Sequence, residues 1–268
     1  MRVEILGNVQ DGGVPHLGCD CDVCEAARED QRNQRYVGAL MVKENDDKDT
    51  IRYLIDATPD IKYQIRGDYL DGVFLSHGHL GHIAGLPFFG TESLDTNQLS
   101  VFCTPEMRQF IMNNDPFRLL VDRNQIEIEK KSDGEKAEIQ GGSIEFRNVL
   151  HRYVNTDTTS FMIRGEDKSL YYLTDIDEWT DEAAETVREA DIAIIDGTFW
   201  TKDEIGRYDE VPHPTIKESM DRFDDSDTEI YFTHLNHTNP VLREDSEERQ
   251  KVEERGYNVA EKGIEIEL

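Results

Sequence analysis

The chain has no run approaching the roughly 20 apolar residues that a membrane-spanning helix requires. Its opening residues, MRVEILGNVQDGG, lack the apolar core of a secretory signal and read directly as a strand. Both absences predict a cytoplasmic protein that binds no membrane. Basic residues are scarce as well: 29 Lys plus Arg stand against 57 Asp plus Glu, giving a formal charge of -28, and no basic arm or Lys/Arg cluster stands out. A surface this acidic repels a phosphate backbone, which excludes nucleic acid as a partner. The acid excess runs along the whole chain, as in halophilic proteins, where high salt screens the self-repulsion. There are only four cysteines, and Cys19, Cys21 and Cys24 fall within six residues, unlike a secreted disulfide framework. No internal repeat, low-complexity tract or long linker divides the 268 residues, so residues 1–268 are expected to form one domain with one substantial core.

What is present is a series of short strand-like runs. They are VEIL (3–6), ALMV (39–42), YLID (53–56), GVFLS (72–76), LSVFC (99–103), SIEFRNV (143–149), SFMI (160–163), SLYYLTD (169–175), IAIID (192–196) and EIYFTH (229–234). Helical patterns lie between the later ones: MRQFIMNN after Thr104-Pro105, DEAAETVREA after Thr180, PTIKESMDRF, and the very polar LREDSEERQKVEERG. ENDDKDT (44–50) and KKSDGEK (130–136) read as hairpin loops. Many strands with interspersed helices predict an α/β or α+β domain.

The chemistry is concentrated in SHGHLGHIAGL (76–86). His77 and His79 alternate on an extended segment, so both can face one ion, while His82 opens what reads as a helix and can face a second ion nearby. Further along stand Asp56 at the end of YLID, His151 in VLHRYVNTDTTSF, Asp175 in LYYLTDID and His234 in YFTHLNH. Cys19, Cys21 and Cys24 can hold one zinc but need a fourth ligand to close a tetrahedron. Cys103 reads as a buried core thiol.

Taken in order, these motifs resemble the metallo-β-lactamase superfamily, whose signature is His-x-His-x-Asp-His after a strand. The segments LHRYVNTDTTSFMI, YLTDIDEW, IIDGTFW, VPHPTIKESM, FTHLNHTNP and GYNVAEKGIEIEL are similar to the family of pyrroloquinoline-quinone (PQQ) biosynthesis B proteins, over almost the whole chain. The resemblance implies an αββα sandwich of two mixed β-sheets flanked by helices. It implies one metal at His77, His79 and His151, a second at His82 and His234, and Asp175 between them, with Asp56 supporting the loop. It also implies a structural zinc in the loop at about 16–26, held by Cys19, Cys21, Cys24 and His237. The biosynthetic proteins often lack the early histidines kept here as His77 and His79, a departure that suggests a relative with a different task.

This sequence departs from the superfamily signature at Gly81, where the aspartate that holds the second metal is expected. The first site keeps three imidazoles, and the second keeps two histidines and a bridging carboxylate. The glycine reads either as a backbone requirement for positive φ or as a gap that a neighbouring acid fills, with Asp177 and Asp196 as candidates by position. The expected activity is a metal-dependent hydrolase that cleaves ester or phosphodiester bonds in a small substrate through metal-bound hydroxide. Asp175, His213 and Asp196 are the candidate catalytic residues. The expected cofactors are one structural zinc and one or two divalent ions at the histidines, namely zinc, manganese or iron. Two alternatives stand beside this one: an iron-dependent oxidoreductase in PQQ-like cofactor biosynthesis, and a non-catalytic carrier of a small metabolite. The partners expected are a small-molecule substrate and a second copy in a homodimer.

Overall fold

The β-branched and aromatic runs form two seven-stranded mixed sheets among the described residues. A computed structural model of the chain describes residues 1–44, 50–65 and 69–268, with Tyr153 and Val154 as backbone only. The first sheet holds β1 (Arg2–Gly7), β2 (Ala39–Glu44), β3 (Ile51–Ile55), β4 (Gly72–Phe74), β5 (Leu99–Cys103) and β6 (Ile126–Lys130), with β14 (Glu265–Glu267) at the edge beside β1. The second holds β7 (Lys136–Ile139), β8 (Gly142–Val154), β9 (Thr156–Arg164), β10 (Ser169–Leu173), β11 (Ile192–Asp196), β12 (Glu229–Thr233) and β13 (Asn258–Val259) in spatial sequence. β3 to β6 run parallel, as do β10 to β13.

The inner faces of both sheets meet in one apolar layer, where Phe74 stacks on Phe102 at 4.5 Å and meets the edge of Phe161 at 6.0 Å. The outer face of the first sheet packs under helices such as Pro105–Asn113, and that of the second under Asp181–Glu189 and Ile216–Arg222. The fold is therefore the αββα sandwich. Cys103 lies in the core beneath the first helical layer, fully buried.

The helix starts follow from local chemistry. Thr104 accepts a hydrogen bond from Met107 N with Pro105 at the first turn, and Thr215 and Glu218 form a reciprocal capping box. The hairpin expectation at 130–136 is corrected, because β6 and β7 belong to different sheets and the segment crosses between them. β2 and β3 do pair antiparallel, but residues 45–49 of ENDDKDT lie outside the described residues. The helix expected from His82 is only a turn, Leu80–Ile83, followed by a second turn at Leu86–Phe89. The backbone there bonds sideways instead: Ala57 N donates to His82 O, and Gly85 N to Ala57 O.

Candidate metal centre

Parallel strands of both sheets end at one edge of the sandwich, and the chain turns that follow them bring the predicted residues together. Asp56 follows β3, the histidine segment follows β4, Asp175 follows β10, Asp196 closes β11 and His234 follows β12. His151 comes from β8. Asp56 and His234 have φ of 66° and 57°, a region that non-glycine residues seldom occupy. These turns swing the side chains back over the strand ends, and such strain concentrates at functional sites.

The ligand atoms of His77, His79, His151 and Asp175 lie within 4.8 Å of one another, as do those of Asp11, His82 and His234, and those of Asp175, His213 and His234. Asp175 joins the groups. Its Oδ2 is 3.3 Å from His82 Nε2, and its Oδ1 is 3.5 Å from His234 Nε2 and 3.7 Å from His151 Nε2. His77, His82, His151, His234 and Asp175 are all buried.

Two relays of imidazole, hydroxyl and carboxylate fix the rings. Ser76 Oγ donates to Asp56 Oδ2 at 2.9 Å, so it accepts from His77 Nδ1 at 3.0 Å. Thr198 Oγ1 donates to Asp196 Oδ1 at 2.7 Å, so it accepts from His234 Nδ1 at 3.0 Å. His82 Nδ1 bonds Asp56 Oδ2 directly at 2.7 Å. In each case the Nδ1 proton is held and Nε2 faces inward with its lone pair, which is the outer-shell arrangement of metal-ligating histidines. Nε2 of His77, His82, His151 and His234, with Asp175 Oδ2 and Asp11 Oδ1, are buried without a hydrogen-bond partner. Buried polar atoms are rarely left unpaired. Six converging on one space, all of ligand type, fit divalent metal.

The electrostatics agree. Burial lowers the His77 pKa far below its ordinary value and brings His79 down to about 4, so both rings stay neutral and free to ligate. Burial acts the same way on His82 and His234. There Asp56 and Asp175 outweigh it for His82, and Asp175 with Asp11 for His234, and both pKa values rise. Carboxylate exceeds imidazole on this side, so it is a place for positive charge, which a proton or a divalent ion supplies.

Asp11 is the residue that sequence reasoning missed. Its Oδ1 stands 3.4 Å from His82 Nε2 and 3.8 Å from His234 Nε2. The side chain is 42% exposed, but Oδ1 is turned inward and sealed from solvent. Nothing in QDGG marks it, because only the folding of the N-terminal loop against the His234 turn brings it here. The two acids considered for this part lie elsewhere. Asp177 Oδ1 is 2.9 Å from His151 Nδ1, on the far side of that ring from the cluster. Asp196 is fully buried, and Thr198, Ile176 N and His213 Nδ1 occupy its oxygens. Asp196, expected as a catalytic residue, instead orients His213, at 2.6 Å, and His234 through Thr198. His213 turns Nε2 towards Arg152 Nη1, 3.4 Å away. Phe199 and Trp200 are core residues.

The second cluster lies on the N-terminal loop. Cys19, Cys21, Cys24 and His237 bring their ligand atoms within 4.8 Å of one another. Cys19 Sγ is 3.4 Å and Cys21 Sγ 3.7 Å from His237 Nδ1. Sulfur and nitrogen on one tetrahedral zinc stand about 3.5 Å apart, from bond lengths of about 2.3 and 2.05 Å. The donor set fits a closed zinc site that would tie this loop to the segment carrying His234.

Replacing Asp56 with asparagine tests the relays. Asp56 accepts from Ser76 N, Ser76 Oγ and His82 Nδ1, so it anchors two imidazoles at once. The expected result is a loss of metal affinity of about 10–100-fold, measured by competition with a chelator. Unchanged affinity would contradict this role.

The beta-lactamase superfamily domain matches residues 51–235, and the chain belongs to that family. Within it, the chain is 27% identical to a coenzyme PQQ synthesis protein B of Methylorubrum extorquens, over 100% of both chains. Zn2+-bound PqqB from Methylobacterium extorquens superimposes with a TM-score of 0.85 at 26% identity, again over 100% of both. A diphosphatase from the PhnP family shares the fold with a TM-score of 0.73 at 24% identity, covering 100% of this chain and 98% of the other. No helix among the described residues is long and apolar enough to cross a membrane.

Proposed function

We propose that this protein is a metal-dependent hydrolase of ester or phosphodiester bonds in a small substrate. The convergence of six buried, unpaired ligand atoms carries the reading. His77, His79, His151 and Asp175 would hold one ion, and His82, His234 and the shared Asp175 a second. When bound, such ions polarise a carbonyl or phosphoryl oxygen and lower the pKa of a water to about 7.

The chain's own residues support the rest. Arg152 brings a guanidinium to within 3.4 Å of His213 and 3.7 Å of Asp177, a positive charge beside the cluster in a chain of net charge -28. It suits an oxyanion of substrate or transition state. Asp196 holds His213 by Nδ1, which leaves the Nε2 lone pair, beside Arg152, to accept a proton from the attacking water. Burial of His213 and His234 keeps bulk water from competing for these contacts.

The test is metal removal. Chelator-treated protein should lose hydrolysis of bis(p-nitrophenyl) phosphate and p-nitrophenyl acetate, and regain it on adding zinc or manganese. Activity that survives removal of every ion would overturn the proposal.

A second reading draws on the relatives named for coenzyme PQQ synthesis. Histidine and carboxylate ligands suit iron as well as zinc, and an oxidative step in making a quinone cofactor would use it. Fe(II)-dependent oxygen uptake favours this reading, and its absence favours hydrolysis.

A further inference from the structure

We propose that Asp11 is the acidic ligand of the second ion, supplied from the N-terminal loop in place of the carboxylate that Gly81 lacks. The inference rests on the metal-centre reading and adds to it a ligand from outside the histidine segment.

Three observations carry it. The first is steric. A Cβ on Gly81 would stand 2.5 Å from Asp11 Cγ, 2.8 Å from Asp11 Cα and nearer still to Oδ1. The backbone Cα cannot be moved aside by a rotamer change, so a side chain at 81 and this position of Asp11 exclude each other. Gly81 is also absent from the positive-φ glycines and sits in the turn Leu80–Ile83, so its backbone does not require glycine. The expectation of a φ-driven glycine is thereby corrected: Gly81 makes room for Asp11.

The second is the direction of the carboxylate. Oδ1 is buried without a hydrogen-bond partner and points at His82 Nε2 and His234 Nε2, which are themselves buried and unpaired. The ligand atoms of Asp11, His82 and His234 lie within 4.8 Å of one another, and Asp175 reaches both imidazoles from 3.3 and 3.5 Å.

The third is how the loop is fixed. Leu235 N donates to Asn8 O at 2.9 Å, and Gln10 N donates to Leu235 O at 3.1 Å. The residue just before Asp11 is thus bonded to the strand end that presents His234. Further along, the loop is gathered by the three cysteines against His237. Loop and ligand turn are held as one body, which is what a ligand supplied from a distant part of the sequence needs.

The experiment compares wild type with D11N, D11G, G81D and the exchange variant D11G/G81D. Metal per chain is read by elemental analysis and zinc and manganese affinity by calorimetry, with no reliance on turnover. D11N keeps the size of the side chain and guards against misfolding. D11N and D11G are each expected to weaken one ion at least tenfold, leaving the other ions in place. G81D alone should also weaken it, by driving the loop away. The exchange variant, with the carboxylate returned to the histidine segment and the space opened at 11, should recover that ion. Full affinity in D11N and D11G overturns the proposal, as does an exchange variant that stays folded but does not recover. If wild type binds no ion at the histidines, the metal-centre reading falls and this inference with it; if it binds and D11N is unaffected, only this inference falls.

Discussion

Replacing His151 with alanine is expected to lower hydrolysis by about 10³-fold or more, because loss of a Lewis acid costs several kcal/mol of transition-state stabilisation. The ring stands 5.5 Å from that of His77 and 5.1 Å from that of His79, and it is the imidazole that the second sheet would contribute to the first ion, beside Asp175. Its removal leaves two imidazoles and an Asp175 that also serves the second ion, a weaker set than the four groups gathered there. Within the protein its one close polar neighbour outside the cluster is Asp177, 2.9 Å from Nδ1, so the fold should lose a single contact by the change. Leu150, the half-exposed neighbour on the same strand, is the control: Leu150→Ala should keep both metal and rate. Wild-type rates in His151→Ala would contradict the assignment of the first ion.

Replacing Cys24 with serine should remove one zinc and loosen the N-terminal loop. Cys24 is fully buried, and burial pushes its thiol up to about 12, so zinc must displace a proton to bind it. Zinc uptake at this site should therefore release protons and weaken as pH falls. A ligand present at a thousandfold excess over its Kd stabilises by about 4 kcal/mol. At about 2–4 °C per kcal/mol for a chain of this order of size, the variant should melt roughly 8–16 °C lower. An unchanged Tm and zinc content in Cys24→Ser would show that the cysteines hold no structural ion.

Much of this architecture is legible in the sequence because it is local. Alternating apolar runs mark the strands, and Thr104-Pro105, Thr180 and Thr215 mark the helix starts, since a capping hydroxyl acts within three residues of itself. The histidine and aspartate motifs are also legible, because each sits beside a recognisable strand, and the cysteines because three fall within six residues. What is not legible depends on tertiary placement. KKSDGEK has the composition of a hairpin loop, and only the partners of β6 and β7 reveal that it crosses between sheets. Asp196 looks available to substrate in the sequence because its burial and its bonds to Thr198 and His213 come from the fold. Asp11 and Gly81 are far apart in the chain, and their complementarity exists only where the first loop passes over the histidine turn. Ser76 and Thr198, the hydroxyls of the two relays, are ordinary residues until their partners are in place.

The measurement that bears most directly on the account is metal content per chain, by elemental analysis, on the intact protein and on a folded Cys24→Ser variant. More than one ion is expected in the intact protein, with at least one retained when the cysteine site is lost. A single zinc that disappears with Cys24, and a histidine cluster that added zinc, manganese or iron does not fill, would contradict it.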